Sequence, residues 1–362
     1  MAHTATAAVL RTAGDPLRVE QVTLADPGAG EVLVRTAVTG VCGTDVHFAD
    51  GRIPYPTPTV LGHEAAGTVE LVGPDVHGIS PGQRVIVCDQ TFCGRCGRCL
   101  SGQMVYCTDP TAKQRQRHRL HIDDRPCRQY LGVSALADLM LVDAHNLIPI
   151  PDALPFEAAA LLSCCLTTGL STVFNIARPA PGGRVAIFGC GGVGLGAIQA
   201  ARIAGAAQII AVDPQPHRRA LAATLGATDT IDPTTDDPAT AVLAATGGAG
   251  VETAVEAVGS PATVTQTVAV LAPGGHATIL GMPPAGADIA LPARLLRQGR
   301  TITGTVMGSV RTRADIPRYT DLALRGLLHT QDLITSRRPL AEVNDAFADT
   351  RAHRGVRALI TF

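Results

Sequence analysis

Tryptophan is absent from this sequence of 362 residues, aromatic residues make up 3% of it, and Lys113 is its only lysine. A core without large rings must be built from aliphatic side chains, which a hydrophobic content of 46% supplies. The net charge of −1 gives no overall attraction to nucleic acid or to an anionic membrane. No run of residues is long and apolar enough to span a bilayer. We therefore expect neither nucleic acid nor a membrane as a partner, and the length predicts two domains.

The start of the chain, Met1-Ala2-His3-Thr4, has neither a basic segment nor a long apolar run, so we expect no export signal. The chain nevertheless contains ten cysteines. Cysteines in a chain without an export signal predict a reducing, cytoplasmic location, where thiols bind metals or lie buried.

Four of these cysteines are spaced C-x2-C-x2-C-x7-C. Four sulfurs this close suit tetrahedral zinc, at Zn–S distances of about 2.3 Å. A disulfide loop would fit a secreted chain, and an iron–sulfur cluster usually has other spacings. The pattern predicts a structural zinc site, closed to chemistry because no coordination position is free, with the ligands Cys93, Cys96, Cys99 and Cys107.

The first 90 residues are rich in β-branched residues and turn signals, which predicts strands. Cys42, His63 and Glu64 lie in or beside a loop-like region between two of these strands. Either Cys42 or His63 taken alone is more simply a buried cysteine or an ordinary loop histidine. Cys164 and Cys165, at the end of an Ala-rich helix, are candidates for a third ligand. Two cysteines and one histidine with an open position are a known form of catalytic zinc site.

A second pattern begins at Gly183. A short apolar strand leads directly into Gly189-Cys190-Gly191-Gly192-Val193-Gly194, then a helix, and then a strand that ends at Asp213. This is G-x-G-x-x-G within a βαβ unit, the context in which the motif predicts dinucleotide binding. The glycines allow a tight turn and close approach of the backbone, and the helix N-terminus attracts phosphate. A carboxylate at position 213 favours NAD over NADP, although Arg218 and Arg219 lie close by.

The strands that follow continue this parallel sheet. One of them ends in Gly281-Met282-Pro283-Pro284, and such a loop at the carboxyl end of a strand is where ligands bind in open α/β sheets. Residues 111–130 form a polar insertion instead. Its simplest interpretation is a solvated loop, and the alternative is a basic lip that attracts an anionic substrate. The basic residues of this insertion are Lys113, Arg115, Arg117, His118, Arg119 and His121.

Together these features resemble the zinc-dependent alcohol dehydrogenases of the medium-chain dehydrogenase/reductase family, over essentially the whole chain. The resemblance implies an α/β fold in which a GroES-like, β-rich catalytic domain accompanies a Rossmann domain with a doubly wound parallel sheet. We expect the catalytic domain at 1–165, with the structural zinc lobe at about 93–107, the NAD-binding domain at 166–306, and a return to the catalytic domain at 307–362. The insertion before Tyr130 is similar to that of dimeric members, which implies a homodimer.

The resemblance also implies residue roles. Cys42, His63 and Cys164 match the ligands of the catalytic zinc, and Glu64 matches an acid beside the metal. Asp45 matches the carboxylate that orients the histidine. The remaining matches are Thr44 and His47 to a proton relay, Thr168 to a nicotinamide contact, and Arg357 to an arginine near the pyrophosphate.

The implied activity is hydride transfer between an alcohol, or its aldehyde or ketone, and NAD(H), with two zinc ions per chain. One alternative is a thiol-adduct formaldehyde dehydrogenase, or a biosynthetic enzyme of the same fold that uses bound NAD transiently. A more remote alternative is a zinc- and nucleotide-binding sensor without enzymatic activity. Asp89 departs from the family pattern, because relatives often have an aromatic pocket wall at this position. A carboxylate there disfavours a plain apolar alcohol.

Overall fold

The computed structural model describes residues 2–112 and 119–362. The described residues form strands and helices throughout both halves of the chain. The strands are β1 (His3–Leu10), β2 (Arg18–Leu24), β3 (Glu31–Val41), β4 (Thr59–Val60), β5 (Glu64–Val72), β6 (Arg84–Val87), β7 (Leu120–Ile122), β8 (Arg125–Gln129), β9 (Leu139–Asp143), β10 (Leu147–Pro149), β11 (Arg184–Phe188), β12 (Gln208–Val212), β13 (Asp229–Ile231), β14 (Val251–Glu256), β15 (Leu271–Ile279), β16 (Thr301–Gly304), β17 (Ile334–Pro339) and β18 (Arg357–Thr361).

The α-helices are short, and several begin with Pro at their first position, where its missing N–H costs nothing. A π-helical segment, Thr172–Ala177, directly follows the fourth helix. The α-helices are α1 (Gly43–Ala49), α2 (Gly97–Leu100), α3 (Phe156–Ser163), α4 (Cys165–Ser171), α5 (Gly192–Ile203), α6 (Pro216–Leu225), α7 (Pro238–Ala245), α8 (Pro261–Ala269), α9 (Thr312–Leu324) and α10 (Val343–Arg351).

The chain divides into two compact units. One consists of Met1–Cys164 with Arg311–Phe362, and the other of Cys165–Val310. The first unit contains a closed barrel in the order β1-β2-β7-β8-β4 and a sheet in the order β10-β6-β5-β3-β18-β17, with β9 also paired to β3. The C-terminal strand β18 thus runs antiparallel beside β3, with Ala358 opposite Val41. This pairing brings the end of the chain to the end of β3, where Cys42 begins α1.

The second unit contains a six-stranded sheet in the order β13-β12-β11-β14-β15-β16, in which every neighbouring pair is parallel. Strands β11, β12 and β14 are aliphatic and almost fully buried, as expected for parallel strands covered on both faces. Strands β11 and β14 lie side by side at the centre of the sheet. From β11 the chain adds strands toward one edge, and from β14 it adds them toward the other, so the strand order reverses between these two. In open α/β sheets, ligands bind outside the carboxyl ends of the strands at such a reversal.

The cores are aliphatic, as the composition predicts. One cluster composed mainly of Val, Leu, Ile and Ala side chains is buried in and around the barrel, and a second is packed against the parallel sheet. Tyr130, Phe188 and Phe347 are the large aromatic side chains among the most deeply buried residues. Among the described residues, no single helix meets the length and hydropathy of a membrane span. One bent pair, Phe156–Ser163 with Cys165–Ala177, meets them by length and composition alone.

Candidate metal and nucleotide sites

A buried cluster of donor atoms lies where β3 and β5 meet. Cys42 directly follows β3, and His63 directly precedes β5, in which Glu64 pairs with Gly40. The ligand atoms of Cys42, His63 and Glu64 all lie within 4.8 Å of one another. A side chain at Gly40 would displace the Glu64 carboxylate, so glycine at this position lets that carboxylate stay beside Cys42 and His63. Antiparallel pairing therefore brings together residues that are 21 positions apart in the sequence.

Asp45 holds this cluster together through three hydrogen bonds. Its Oδ2 accepts from the Cys42 backbone N–H at 2.9 Å, and its Oδ1 accepts from the Gly62 N–H at 3.1 Å. Oδ1 also lies 3.0 Å from Nδ1 of His63. Burial disfavours the His63 imidazolium, yet the pKa of His63 is raised overall because the charge and hydrogen bond of Asp45 favour it. An Nδ1–H bond to Asp45 leaves Nε2 of His63 available to a metal.

Cys164 follows the last residue of α3 and adds a second thiol. The thiols of Cys42 and Cys164 share a hydrogen bond, which lowers the pKa of Cys42 and raises that of Cys164. The Cys164 thiol therefore lies beside that of Cys42. Together with the imidazole of His63 and the carboxylate of Glu64, the two thiols are a donor set that suits zinc, which binds sulfur, nitrogen and carboxylate oxygen. Among the described residues, the carboxylate of Glu64 lies close enough to the donor atoms of Cys42 and His63 to bind the same metal ion.

The Glu64 carboxylate is also in contact with Arg357, on β18. The Nε atom of Arg357 lies 3.3 Å from Oε2 of Glu64, and its Nη1 donates to the Val41 carbonyl at 2.7 Å. Burial raises the pKa of Glu64 to about 7, and the guanidinium of Arg357 limits that rise. Sequence reasoning expected Arg357 near a pyrophosphate and did not predict its contact with Glu64, because that contact depends on the pairing of β18 with β3.

Thr44 and His47 lie on α1, one turn apart, so their side chains share a face of the helix. Both are half-buried. Burial lowers the pKa of His47, and the nearby charge of Arg52 lowers it further. A histidine with a lowered pKa is neutral at pH 7 and can accept a proton.

The four-cysteine lobe forms a second cluster. All four sulfurs lie within 4.8 Å of one another, and none of the ten cysteines forms a disulfide. The Sγ–Sγ distance between Cys96 and Cys99 is 3.5 Å, and that between Cys96 and Cys107 is 3.9 Å. The backbone N–H of Cys93 donates to Cys107, and that of Cys96 donates to Cys93. Hydrogen bonds from N–H groups to sulfur stabilise thiolates, so the lobe suits a closed four-sulfur zinc site.

The glycine loop of the second unit connects β11 to α5. Gly189 has φ = +93°, and a side chain at Gly194 would collide with the carbonyl of Gly189. A Cβ at Gly191 would meet no atom of the described chain within 4 Å, so space remains beside the loop. Gly192 and Val193 form the first turn of α5, where backbone N–H groups have no helical partner. This tight turn, open space and helix start fit a pyrophosphate.

Asp213, at the end of β12, is bonded to this loop. Its Oδ2 accepts from the Cys190 N–H, and its Oδ1 accepts from the Gln215 N–H, both at 2.8 Å. Arg219 donates to the Asp213 carbonyl at 2.6 Å and pairs with Asp232 at 2.8 Å. Its guanidinium is therefore held by acceptors of the protein. Arg218 is half-buried in the first turn of α6.

Three further residues complete the second unit's candidate site. Thr168 lies on α4, and its buried Oγ1 finds no hydrogen-bond partner among the residues that the structure describes. Met282 is 41% exposed in the loop after β15, and its backbone lies against Gly259. Sequence reasoning missed Glu256, at the end of β14. Its Oε1 accepts hydrogen bonds from the N–H groups of Val258 and Gly259, which fixes the shape of the loop after β14. The sequence signal that could have identified Glu256 is an acidic residue at the end of an apolar strand.

The basic insertion is described only in part, because residues 113–118 lie outside the described ranges. Arg119 binds the buried Glu31 carboxylate at 2.7 Å, and His121 lies on β7 opposite Thr23. The guanidinium of Arg119 is therefore engaged in an ion pair within the fold. This gives no support to a role for Arg119 in a lip that attracts the substrate.

Comparison with known proteins identifies the family. Residues 28–152 match the alcohol dehydrogenase GroES-like domain, and residues 192–325 match the zinc-binding dehydrogenase domain. Alcohol dehydrogenase 1 from Zea mays is 33% identical over 364 residues, which cover 98% of this chain and 96% of the relative. The chain belongs to the zinc-dependent alcohol dehydrogenase family. It is therefore an enzyme, a zinc-dependent oxidoreductase, and the GroES-like plus Rossmann fold predicted from its sequence is confirmed.

Two solved structures are similar over almost their whole length. Benzyl alcohol dehydrogenase from Acinetobacter calcoaceticus has a TM-score of 0.93 and 31% identity, with 99% of both chains covered. A zinc-binding dehydrogenase from Sinorhizobium meliloti 1021, solved with NADP, has a TM-score of 0.85 and 29% identity, with 99% of this chain and 100% of that chain covered. The prediction of zinc and a nicotinamide cofactor, NAD(H), is confirmed at the level of the family, and the thiol-adduct, biosynthetic and sensor alternatives are not favoured.

Proposed function

We propose that this enzyme transfers hydride between a small alcohol, or its aldehyde or ketone, and NAD(H) at a zinc ion held by Cys42, His63 and Cys164, with Glu64 beside the metal. The observation that carries this proposal is the buried cluster of Cys42, His63 and Glu64, with the thiol of Cys164 hydrogen-bonded to that of Cys42. Bound zinc supplies Lewis-acid chemistry that lowers the pKa of an alcohol oxygen. Asp45 fixes the ring of His63 through Nδ1, so that Nε2 would be the atom that binds the metal.

Proton removal is assigned to α1. The hydroxyl of Thr44 accepts the proton of the alcohol as it gives up its own, and His47 accepts the proton that is passed on toward solvent. The lowered pKa of His47 supports this role, because a neutral imidazole has a lone pair free to accept a proton. His47 is half-buried, so it retains access to water.

Cofactor binding is assigned to the glycine loop and its neighbours. NAD(H) supplies the hydride-carrying ring. Gly189, Gly191, Gly192, Val193 and Gly194 form the phosphate cradle. Asp213 receives the adenosine ribose, and its carboxylate favours NAD over NADP because it repels a 2′-phosphate. Thr168, whose Oγ1 has no partner in the described protein, contacts the nicotinamide. Arg218, Met282 and Arg357 are assigned to the rest of the cofactor. The domain boundaries at 1–165, 166–306 and 307–362 are part of the same proposal.

The decisive experiment combines metal analysis with an NAD(H) absorbance assay. We expect two zinc ions per chain and turnover of small primary or aromatic alcohols; the likeness to a benzyl alcohol dehydrogenase supports including benzyl alcohol. Cys42→Ser should remove one zinc and abolish turnover, whereas Cys165→Ser, one residue beyond the assigned ligand Cys164, should keep both metals. Full turnover by Cys42→Ser after loss of one zinc would overturn the assignment.

The oligomeric state and the cellular location of the enzyme are also proposed. We propose that it is a homodimer, on the similarity of its insertion to that of dimeric members, and light scattering during size-exclusion chromatography tests this. We also propose a cytoplasmic location, which the ten free cysteines support. Fractionation of cells that produce the full chain would contradict this if the enzyme were recovered outside the cytoplasm.

A further inference from the structure

Glu256 is a buried carboxylate at the carboxyl end of β14, and the reaction proposed above gives it no role. Its side chain is 0% exposed. In the parallel sheet it pairs with Phe188, the last residue of β11, and with Ile279, the last residue of β15. Glu256 therefore lies at the edge of the sheet where the glycine loop begins, and ligands of open α/β sheets bind outside this edge.

One oxygen of this carboxylate holds the loop between β14 and α8. Oε1 accepts hydrogen bonds from the backbone N–H groups of Val258 and Gly259, at 3.0 and 2.7 Å, and from the hydroxyl of Thr263 at 2.6 Å. Thr263 lies in the first turn of α8, so its bond ties the start of the helix to the end of the strand. The path of the chain from β14 to α8 thus depends on a single oxygen atom.

The backbone of Glu256 holds a second loop, the one that follows β15. Its carbonyl oxygen accepts from the N–H groups of Leu280 and Gly281, at 2.9 and 3.3 Å. A Cβ at Gly281 would lie 2.6 Å from Oε2 of Glu256 and 2.0 Å from the backbone nitrogen of Gly259. The loops after β14 and β15 are therefore packed against each other, and Glu256 is bonded to both.

The glycine loop contacts the loop after β14 as well. A Cβ at Gly189 would lie 2.8 Å from Cγ2 of Val258 and 3.2 Å from the backbone of Ala257. Three loops at the carboxyl edge of the sheet are thus in contact around Glu256. The buried Oε2 of Glu256 has no hydrogen-bond partner among the residues that the structure describes, so the side chain acts on these loops through Oε1.

The strand order assigns these loops to one half of the cofactor. A Rossmann sheet consists of two mononucleotide-binding halves that meet where the strand order reverses, with the pyrophosphate at the glycine loop. The reversal lies between β11 and β14, and Asp213, assigned to the adenosine ribose, follows β12 on one side of it. The loops after β14 and β15 lie on the other side, which leaves them to the nicotinamide half.

We propose that Glu256 is a positioning residue for the nicotinamide half of the cofactor: through Oε1 it holds the loop after β14, and with it the neighbouring loop after β15, in the shape that binds this half. The inference rests on the proposed function and adds a residue to its cofactor site. A preformed loop binds more tightly than one that must first be ordered. Loss of the bonds to Oε1 should therefore weaken NADH more than a ligand that reaches only the adenosine half.

Two variants separate the reach of this side chain from its charge. Glu256→Gln keeps an oxygen at the position of Oε1 and loses the charge, whereas Glu256→Asp keeps the charge and is too short to reach all three donors. Calorimetric titration of the full, zinc-loaded chain measures Kd for NADH and for AMP, which carries the adenosine half alone. For Glu256→Asp we expect Kd for NADH to rise about 10-fold or more and Kd for AMP to change less than about 2-fold. Glu256→Gln should stay within about 3-fold of the wild type for both ligands.

The matched control is Glu252→Gln, at the opposite end of β14, where the carboxylate pairs with the exposed Arg184; it should bind both ligands as the wild type does. An unchanged Kd for NADH in Glu256→Asp, an equal loss of AMP and NADH, or an equal loss in Glu256→Gln would each overturn the inference. If Glu256→Asp does not fold, Thr263→Val, which removes one of the three donors, should raise Kd for NADH by about 3-fold and leave AMP unchanged, and no change for NADH would overturn the inference. The expected binding pattern in an enzyme that oxidises no alcohol would refute the proposed function alone.

Discussion

The guanidinium of Arg357 and the carboxylate of Glu64 form a buried pair, with Nε 3.3 Å from Oε2 and side chains that are 5% and 0% exposed, respectively. Arg357 also donates to the carbonyl of Val41, the residue before Cys42. The C-terminal strand β18 therefore contacts the metal cluster in two ways: Arg357 forms an ion pair with Glu64 and donates a hydrogen bond to the backbone carbonyl next to Cys42.

Breaking this pair should destabilise the enzyme strongly. Arg357→Met leaves the Glu64 carboxylate buried without its cation, and such a loss costs about 3–5 kcal/mol in the free energy of unfolding. Urea denaturation of the zinc-loaded protein measures it. The double variant Arg357→Met with Glu64→Gln should recover most of the loss, because no charge remains. A loss below about 1 kcal/mol in the single variant would show that the pair is not the support described here.

The orientation of His63 by Asp45 makes a separate prediction. In Asp45→Asn a single oxygen replaces the two that accept from Cys42, Gly62 and His63, and zinc affinity should fall by roughly 10- to 100-fold. Competition with a chelator measures this affinity, and the four-cysteine zinc in the same molecule serves as the internal reference. Asp50→Asn, at the other end of α1, is the control and should release neither metal early. Equal zinc retention by the two variants would contradict the role of Asp45.

Much of the site could be predicted from sequence because its residues lie in short local patterns. The cysteine spacing, Gly62-His63-Glu64 and the glycine loop each depend on a few neighbouring residues. Contacts set by strand register could not be predicted. Arg357 reaches Glu64 only because β18 pairs with β3. Glu256 acts through loop N–H groups, whose direction no pattern of side chains reveals.

The four-cysteine lobe should carry stability without chemistry. Hydrogen bonds from Thr108 and Cys99 lower the pKa of the Cys96 thiol to about 5. Cys96→Ser removes this thiol, so one zinc per chain should be lost. We expect Tm to fall by more than about 5 °C, the shift that about 2 kcal/mol produces in a domain of 150–250 residues. Calorimetry with metal analysis measures both quantities. Ser101→Ala, an exposed change in the same lobe, should keep the zinc, and an unchanged Tm in Cys96→Ser would exclude a structural role.

Asp213 should govern the choice of cofactor. Asp213→Ala removes a carboxylate that accepts from Cys190 and Gln215, so we expect weaker NAD binding and a fall of roughly 10-fold or more in the ratio of kcat/KM for NAD over NADP. Asp213→Asn keeps an acceptor but loses the charge, so it should relax the discrimination against NADP while retaining more of the NAD affinity. If the cofactor ratio is the same in all three proteins, the adenosine ribose does not meet Asp213.

His276 gives a pH dependence in the parallel sheet of the second unit. It lies on β15, where its Nδ1 is 2.8 Å from Oγ1 of Thr301 on β16, and its buried Nε2 has no partner within the described chain. Burial lowers the pKa of His276, so the folded state disfavours its charged form. The unfolded chain then binds the proton more readily, and stability falls as pH decreases through the ordinary histidine value of about 6.5.

The prediction is a difference between two stability curves that changes with pH. Relative to His276→Gln, which cannot take up a proton, the wild type should lose stability between pH 8 and pH 5.5, and the difference should level off above pH 7.5. Urea denaturation of the two proteins at matched pH measures this difference and cancels the common contribution of the metal sites. Thr301→Val removes the hydroxyl partner and leaves the ring, so its pH dependence should retain the wild-type sign. Parallel curves for wild type and His276→Gln would show that His276 titrates alike in the folded and unfolded chain.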